Sequence, residues 1–164
     1  MTYTIEPMQP EDWPAVQAIY REGLATGNAT FETQAPEWEA WDSSHRPDCR
    51  LVARLNGQVA GWAALSPVSR RQVYTGVAEV SIYLAESARG RGLGKALLRA
   101  LIEESERAGI WTLQASIFPE NEASVQLHKI CGFREVGYRE RISQLHGVWR
   151  NTVILERRSQ VVGV

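Results

Sequence analysis

The stretch Arg89 to Lys95 reads RGRGLGK, with glycines at alternate positions and the cations Arg89, Arg91 and Lys95 between them. It joins an apolar strand-like run, AEVSIYLAES, to a helix-like run, ALLRALIEESERAG. Glycines at such a turn let the main chain approach a ligand without a Cβ in the way. Free N–H groups at a helix start, with the helix dipole behind them, attract an anion. The cations can add charge-assisted hydrogen bonds. The chemistry indicated is phosphate or pyrophosphate binding; the alternative is a solvated basic turn that only caps a helix. Two further groups suit proton transfer. Glu79 is a carboxylate in a mainly apolar run, where a charge keeps a partner or a task. Strand parity puts it with Ser81 and Tyr83, opposite Val80, Ile82 and Leu84; its alternative is an ion pair to Arg70 or Arg71. His128, in NEASVQLHKICGF, titrates near ~6.5 when unperturbed and suits accepting or donating a proton. Its alternative is a satisfied structural histidine.

Three phosphate-binding designs can be set against the glycine turn. The nucleotide P-loop needs Gly, four residues, then Gly-Lys-Ser/Thr. Arg89 stands where its first glycine belongs, and Ala96 supplies no hydroxyl after Lys95. The dinucleotide fingerprint GxGxxG matches Gly90 and Gly92, but Lys95 replaces the third glycine, and the turn lies mid-chain rather than in an opening βαβ unit. The third design is a strand, then Arg/Gln-x-x-Gly-x-Gly/Ala, then a helix. Arg89, Gly92 and Gly94 fit it.

The elements that must position these residues follow from periodicity. Trp13, Val16, Ile19, Tyr20 and Leu24 recur at helical spacing over residues 11–25, with Asp12 as N-cap. Residues 37–43 predict a short aromatic helix with Trp38 and Trp41 on one face. Asn56-Gly57 between two strand-like runs predicts a hairpin. A Ser/Arg-rich loop leads to a strand at 77–84. A helix at 93–107 puts Leu93, Leu97, Ala100 and Leu101 on one face and stops at Gly109. A strand at 111–118, a turn at 119–121, a helix ended by Gly132, and strands at 134–142 and 149–157 complete the order. That order is helix, hairpin, strand, helix, strand, helix, strands: a mixed α/β domain.

Length and composition agree with one domain over 1–164. Its hydrophobic content of 44% and charged content of 23% are ordinary for a soluble globular chain. A net charge of −1 gives no bulk attraction to nucleic acid or an anionic membrane, so any anion site must be local. No apolar run approaches the ~20 residues that span a bilayer. The N-terminus, MTYTIEPMQPEDW, lacks a signal-peptide pattern. Cys49 and Cys131 form no metal-type pair and read as reduced, buried thiols of a cytoplasmic protein. No metal is expected.

The strand–RxxGxG–helix unit, followed by a strand and NEASVQLHKICGF, resembles the GNAT superfamily of N-acetyltransferases. Leu127-His128 stands where that superfamily often has Leu-Tyr. It is similar instead to the phosphinothricin and methionine sulfoximine N-acetyltransferase branch. TFETQAPEWEAW, RQVYTGVAE and HGVW also fall in that branch's order. The resemblance implies a GNAT fold, with a mixed, mostly antiparallel central sheet flanked by helices. It implies acetyl-CoA as co-substrate, held by Ile82, Tyr83, Leu84, Arg89, Gly90, Arg91, Gly92, Leu93, Gly94, Lys95, Asn121 and Ser124. Glu79 and His128 become the proton-transfer residues. Phe31, Glu32, Arg71, Tyr74, His146 and Trp149 become the acceptor contacts, in a homodimer.

The implied reaction acetylates the α-amine of methionine sulfoximine, methionine sulfone or phosphinothricin by direct transfer, with detoxification as its role. No cysteine sits where an acetyl-enzyme would need one. The Arg70-Arg71 pair suits an acceptor carboxylate. Other acceptors used across the superfamily are peptide N-termini, polyamines and aminoglycosides. From a different class, the chain could sense acetyl-CoA without catalysis. A nucleic-acid binder fits poorly, because no basic stripe lies outside the glycine turn.

Overall fold

A computed structural model describes residues 2–164. The chain runs β1 (Tyr3–Pro7), a 3-10 turn (Pro10–Asp12), α1 (Trp13–Ala25), α2 (Trp38–Ser44), β2 (Leu51–Leu55) and β3 (Gln58–Pro67). After a 3-10 turn at Gln72–Tyr74 come β4 (Val77–Leu84), another at Glu86–Ala88, and α3 (Leu93–Arg107). The remainder is β5 (Thr112–Ile117), α4 (Glu122–Ile130), β6 (Arg134–Leu145) and β7 (Val148–Arg158). The strands form one seven-stranded sheet in the order β1-β2-β3-β4-β5-β7-β6. Among the described residues only β4 and β5 pair in parallel; the other neighbours are antiparallel.

Most elements lie where the sequence pattern puts them. Asn56 and Gly57 both have positive φ, 53° and 83°, as a two-residue hairpin turn of this twist requires. Gly109, at φ 83°, ends α3. Two expectations are corrected. The sequence reading began with a helix, but β1 precedes it and pairs with β2. Its alternation is short and contains a proline, so it carried little strand signal. Asp12 is also not a side-chain N-cap for α1. Its Oδ2 accepts from the Gln9 amide at 2.8 Å and from Arg54 Nη2 at 2.9 Å. It closes the 3-10 turn and ties it to β2.

Two apolar layers cover the sheet. Leu93, Leu97, Leu98 and Leu101 of α3 are fully buried on one face, against Ala63, Leu65, Ala78 and Leu113. On the other, Val16, Ile19 and Trp41 from α1 and α2 pack on Val52, Trp62 and Ala64.

The feature that matters for function is the seam between β4 and β5. It holds three register pairs, Val77↔Thr112, Ala78↔Leu113 and Glu79↔Gln114. Beyond Glu79 the strands separate, although β4 continues to Leu84 and β5 to Ile117. The sheet therefore forks at Glu79. The base of the fork is fixed by Gly76, whose carbonyl accepts from the Trp111 and Thr112 amides at 2.8 and 3.1 Å. A Cβ at Gly76 would lie 2.0 Å from the Trp111 ring. Gly76→Ala is thus expected to lower stability by about 1–3 kcal/mol through overpacking, read as a lower urea midpoint at unchanged slope. An unchanged midpoint would mean that Trp111 moves aside without cost.

Candidate active site

β3 and β4 pair from Gly61↔Leu84 to Pro67↔Ala78, and the Ala85 amide donates to the Ala60 carbonyl at 2.8 Å. Antiparallel residues alternate between bonding their neighbour and turning their amide and carbonyl away. That alternation gives Glu79, Ser81 and Tyr83 to β3. Ala78, Val80, Ile82 and Leu84 face β5. Ala78 finds β5 there; Val80, Ile82 and Leu84 face the open fork. Of the expected main-chain contacts, Ile82 and Leu84 are positioned for an extended ligand and the Tyr83 main chain is not. The Leu84 carbonyl also accepts from Arg89 Nη2 at 3.3 Å.

The glycine turn closes the wide end of the fork. Gly90 and Gly92 have φ of 76° and 79°, and a Cβ at either would meet nothing within 4 Å. The surface above them is open. Gly92 starts α3, and the first bond back into the helix is Ala96 N–H to the Gly92 carbonyl. The amides of Leu93, Gly94 and Lys95 therefore have no acceptor within the helix. Arg89, Arg91 and Lys95 are exposed, and none forms an ion pair among the described residues. Free donors, bare cations and open glycine surface together fit a pyrophosphate.

Glu79 sits at the apex of the fork and is half-buried. Among the described residues no hydrogen bond or ion pair joins it to Arg70 or Arg71. Its side chain shares the α1 face with Ser81 and Tyr83, as parity predicts. The Tyr83 ring stacks on Trp62 and Tyr20, each at 5.0 Å. Burial, then the nearby Tyr20, raises the Tyr83 pKa, while burial and then the charge of Glu32 raise that of Tyr20. Both phenols stay neutral hydrogen-bonding groups at neutral pH.

His128 is 2% exposed in α4. Its Nδ1 lies 2.8 Å from the Ser124 carbonyl, which can only accept. The proton therefore sits on Nδ1 and the lone pair on Nε2. Among the described residues Nε2 is buried without a partner. Burial lowers the imidazole pKa, and the bond to Ser124 opposes that shift. Asn121 caps α4 by accepting from the Ser124 amide at 3.3 Å, and its Nδ2 donates to the Asn28 carbonyl at 3.2 Å.

The expected acceptor contacts fall into separate groups. Phe31 packs edge-on to Phe118 at 4.8 Å, and Glu32 follows it. Arg71 and Tyr74 lie in an exposed loop before β4, with the guanidinium 5.5 Å from the ring centroid. His146 makes the β6–β7 turn at φ 49°, and Trp149 is 57% exposed beside it. The β5–β7 pairing ends at Ile117↔Val153, so His146 and Trp149 lie beyond the C-terminal end of β5. Arg71 and Tyr74, before β4, lie beyond the opposite end of the sheet, and among the described residues no contact brings the two groups together.

The fold and fork can now be set beside known proteins. Residues 13–133 match the model of the acetyltransferase (GNAT) family. The chain belongs to the GNAT family. It is 33% identical to a phosphinothricin N-acetyltransferase from Alcaligenes faecalis, over 94% of this chain and 81% of that protein. It is 28% identical to an L-methionine sulfoximine/L-methionine sulfone acetyltransferase from Pseudomonas aeruginosa, over 95% of this chain and 94% of that one. The crystal structure of a GNAT-superfamily phosphinothricin acetyltransferase from Sinorhizobium meliloti, in complex with acetyl-CoA, is 31% identical. It matches with a TM-score of 0.89, covering 99% of this chain and 91% of that one. The seven-stranded, mostly antiparallel sheet is the GNAT fold, and the chain is an N-acetyltransferase of that family.

Sequence reasoning missed several residues around this GNAT fork. Glu22 of α1 accepts from the Glu86 amide at 2.8 Å, tying α1 to the start of the glycine turn. Arg150 bonds the loop after α1. Tyr20 was read only as core. Periodicity could mark these positions as facing the sheet; nothing local marked their partners.

Buried His128 and half-buried His45 give a pH signature. His45 Nδ1 lies 2.7 Å from the Trp41 carbonyl. Burial first, and Arg50 after it, lower its pKa against that bond. A lowered folded pKa means that the unfolded chain binds more protons below about pH 6.5, so stability falls as pH drops through that value. His128→Gln and His45→Gln are each expected to flatten the fall in urea midpoint between about pH 7 and 5. An unaltered slope in both variants would contradict imidazoles held neutral by the fold.

Proposed function

We propose that this chain transfers the acetyl group of acetyl-CoA to the α-amine of a small amino-acid analogue: methionine sulfoximine, methionine sulfone or phosphinothricin. The observation that carries the reading is the fork with Glu79 at its apex and the glycine turn at its mouth. The amides of Leu93, Gly94 and Lys95, with Arg89 and Arg91, hold the pyrophosphate. The fork-facing main chain of Leu84, Ile82 and Val80 leads the thioester arm toward Glu79. The names of the relatives support the acceptor class.

The transfer asks for alignment and for proton removal. Acetyl-CoA supplies an activated acyl carbon. Glu79, directly or through a water, takes the proton of the acceptor ammonium. The amine nitrogen bonds to the carbonyl carbon, the carbon–sulfur bond breaks, and the second proton of the nitrogen passes to the departing thiolate, giving the amide and the free thiol of coenzyme A. Main-chain amides facing the fork stabilise charge on the carbonyl oxygen. His128, with its lone pair on Nε2, begins as a proton acceptor. Acyl transfer is direct within a ternary complex: Cys49 and Cys131 are both buried, and burial pushes the Cys49 thiol up to about 11. Neither is a poised nucleophile. Arg71, with no carboxylate partner among the described residues, takes the acceptor carboxylate beside Tyr74, while Phe31 and Glu32 close the opposite side.

The acting form is a homodimer, for which the exposed Val136, Tyr138 and Ile142 of edge strand β6 offer an apolar surface. In the cell the reaction removes toxic amino-acid analogues in the cytoplasm, a compartment that suits two free thiols.

A thiol-release assay with acetyl-CoA tests the reading against methionine sulfoximine, methionine sulfone, phosphinothricin, a polyamine, an aminoglycoside and a peptide. Turnover is expected on the first three. Glu79→Gln is expected to lower kcat by about 10²–10⁴-fold, the range for loss of a general base. Turnover confined to the other amines would overturn the acceptor. Tight acetyl-CoA binding with no turnover on any amine would make the chain a sensing module.

A further inference from the structure

We propose that Arg150 is a positioning residue for the acceptor, latching segment 27–32 on the α1 face of the fork. The inference rests on the reading that the acceptor binds at the Glu79 side of that fork. Arg150 lies in β7 beyond Val153, the last β7 residue paired with β5, and opposite Ser143 of β6. Here β5 has ended, and the Arg150 side chain occupies the gap. Nη1 donates to the Gly27 carbonyl at 2.9 Å, and Nη2 to Asn28 Oδ1 at 2.7 Å. The guanidinium carbon lies 4.1 Å from the Phe118 ring centroid. The side chain is only 15% exposed. Its third partner, Glu120 at 3.4 Å, is half-exposed and adds little.

Segment 27–32 has no regular secondary structure. Without a fastening it would sample many conformations. It carries Phe31 and Glu32, and the Thr30 hydroxyl accepts from the Glu32 amide at 3.1 Å. Phe31 rests on Phe118, the same ring that carries the Arg150 guanidinium. Asn121 adds a second fastening, through the Asn28 carbonyl. One cation thus joins β7, the end of β5 and the segment presenting Phe31 and Glu32. The role needs a planar fork of donors and a flat face for the ring, which arginine has and lysine lacks.

The test compares Arg150→Met, Arg150→Lys, Asn28→Ala and the Met/Ala double variant by steady-state kinetics and amide hydrogen exchange. Arg150→Met is expected to raise KM for the acceptor about tenfold, the size of one lost charge-assisted hydrogen bond. KM for acetyl-CoA and kcat should stay within about twofold. Arg150→Lys should recover part of the loss. The double variant should be little worse than Arg150→Met, because both changes break one contact. Amides of residues 28–32 should exchange about tenfold faster, with α3 unchanged. The exchange measurement needs no acceptor, so it judges the latch even if none of the amino-acid analogues is turned over, a result that would sink the proposed acceptor alone. Unaltered exchange at 28–32 would overturn the latch. So would an equal rise in both KM values with faster exchange throughout, which marks general loss of fold.

Discussion

The rest of the molecule depends on the parting of β4 from β5. Two parallel neighbours normally bond along their shared length, and leaving main-chain groups without a partner is costly when they are buried. Here pairing stops at Glu79↔Gln114 while both strands continue. The fork-facing groups of Val80, Ile82 and Leu84 are thereby left for something other than a strand. The sheet tolerates the gap because each strand is held on its far side: β4 by β3 from Ala78 to Leu84, β5 by β7. Gly76 and Trp111 pin the closed end.

What surrounds the fork reads as a means of filling it from two directions. At its wide end, left-handed glycines and the start of α3 present amides and unpaired cations. At its apex a carboxylate faces α1. The chain after α1 passes over the fork and is tied to β7 and to the β5–α4 turn. α1 reaches both regions, since Glu22 also bonds the amide where the glycine turn begins. Gly23 lets α1 lie close to Tyr83, where a Cβ would come within 2.6 Å of the ring. One helix thus sets the distance between segment 27–32 and the glycine turn.

Much of this was legible in the residues. RGRGLGK between a strand and a helix declared a turn of left-handed glycines that opens a helix, because the physics is local: glycine dihedrals, free amides and adjacent cations. Asn56-Gly57 declared its hairpin for the same reason, and parity put Glu79 on the correct face. The fork was not legible, because strand separation depends on partners distant in sequence and leaves no periodic trace. Arg150 was missed on similar grounds: its acceptors, Gly27 and Asn28, lie far from it in the chain. Asp12 was misassigned because a carboxylate before a helix suits a cap and a buried ion pair equally, and only Arg54 on β2 decides between them. His128 was visible as a candidate, yet its tautomer follows from one carbonyl, that of Ser124.

The central claim is that the parted main chain of β4 and the start of α3 form one continuous cofactor surface. Titrating ¹⁵N-labelled protein with acetyl-CoA and following the backbone amides tests it directly. The account predicts that the amides of Val80, Ile82 and Leu84 and those of residues 90–95 shift together along one binding curve, while those of β1 and β2 stay still. Shifts at residues 90–95 alone would contradict it, because the glycine turn would then bind a phosphate while the fork stood outside the site.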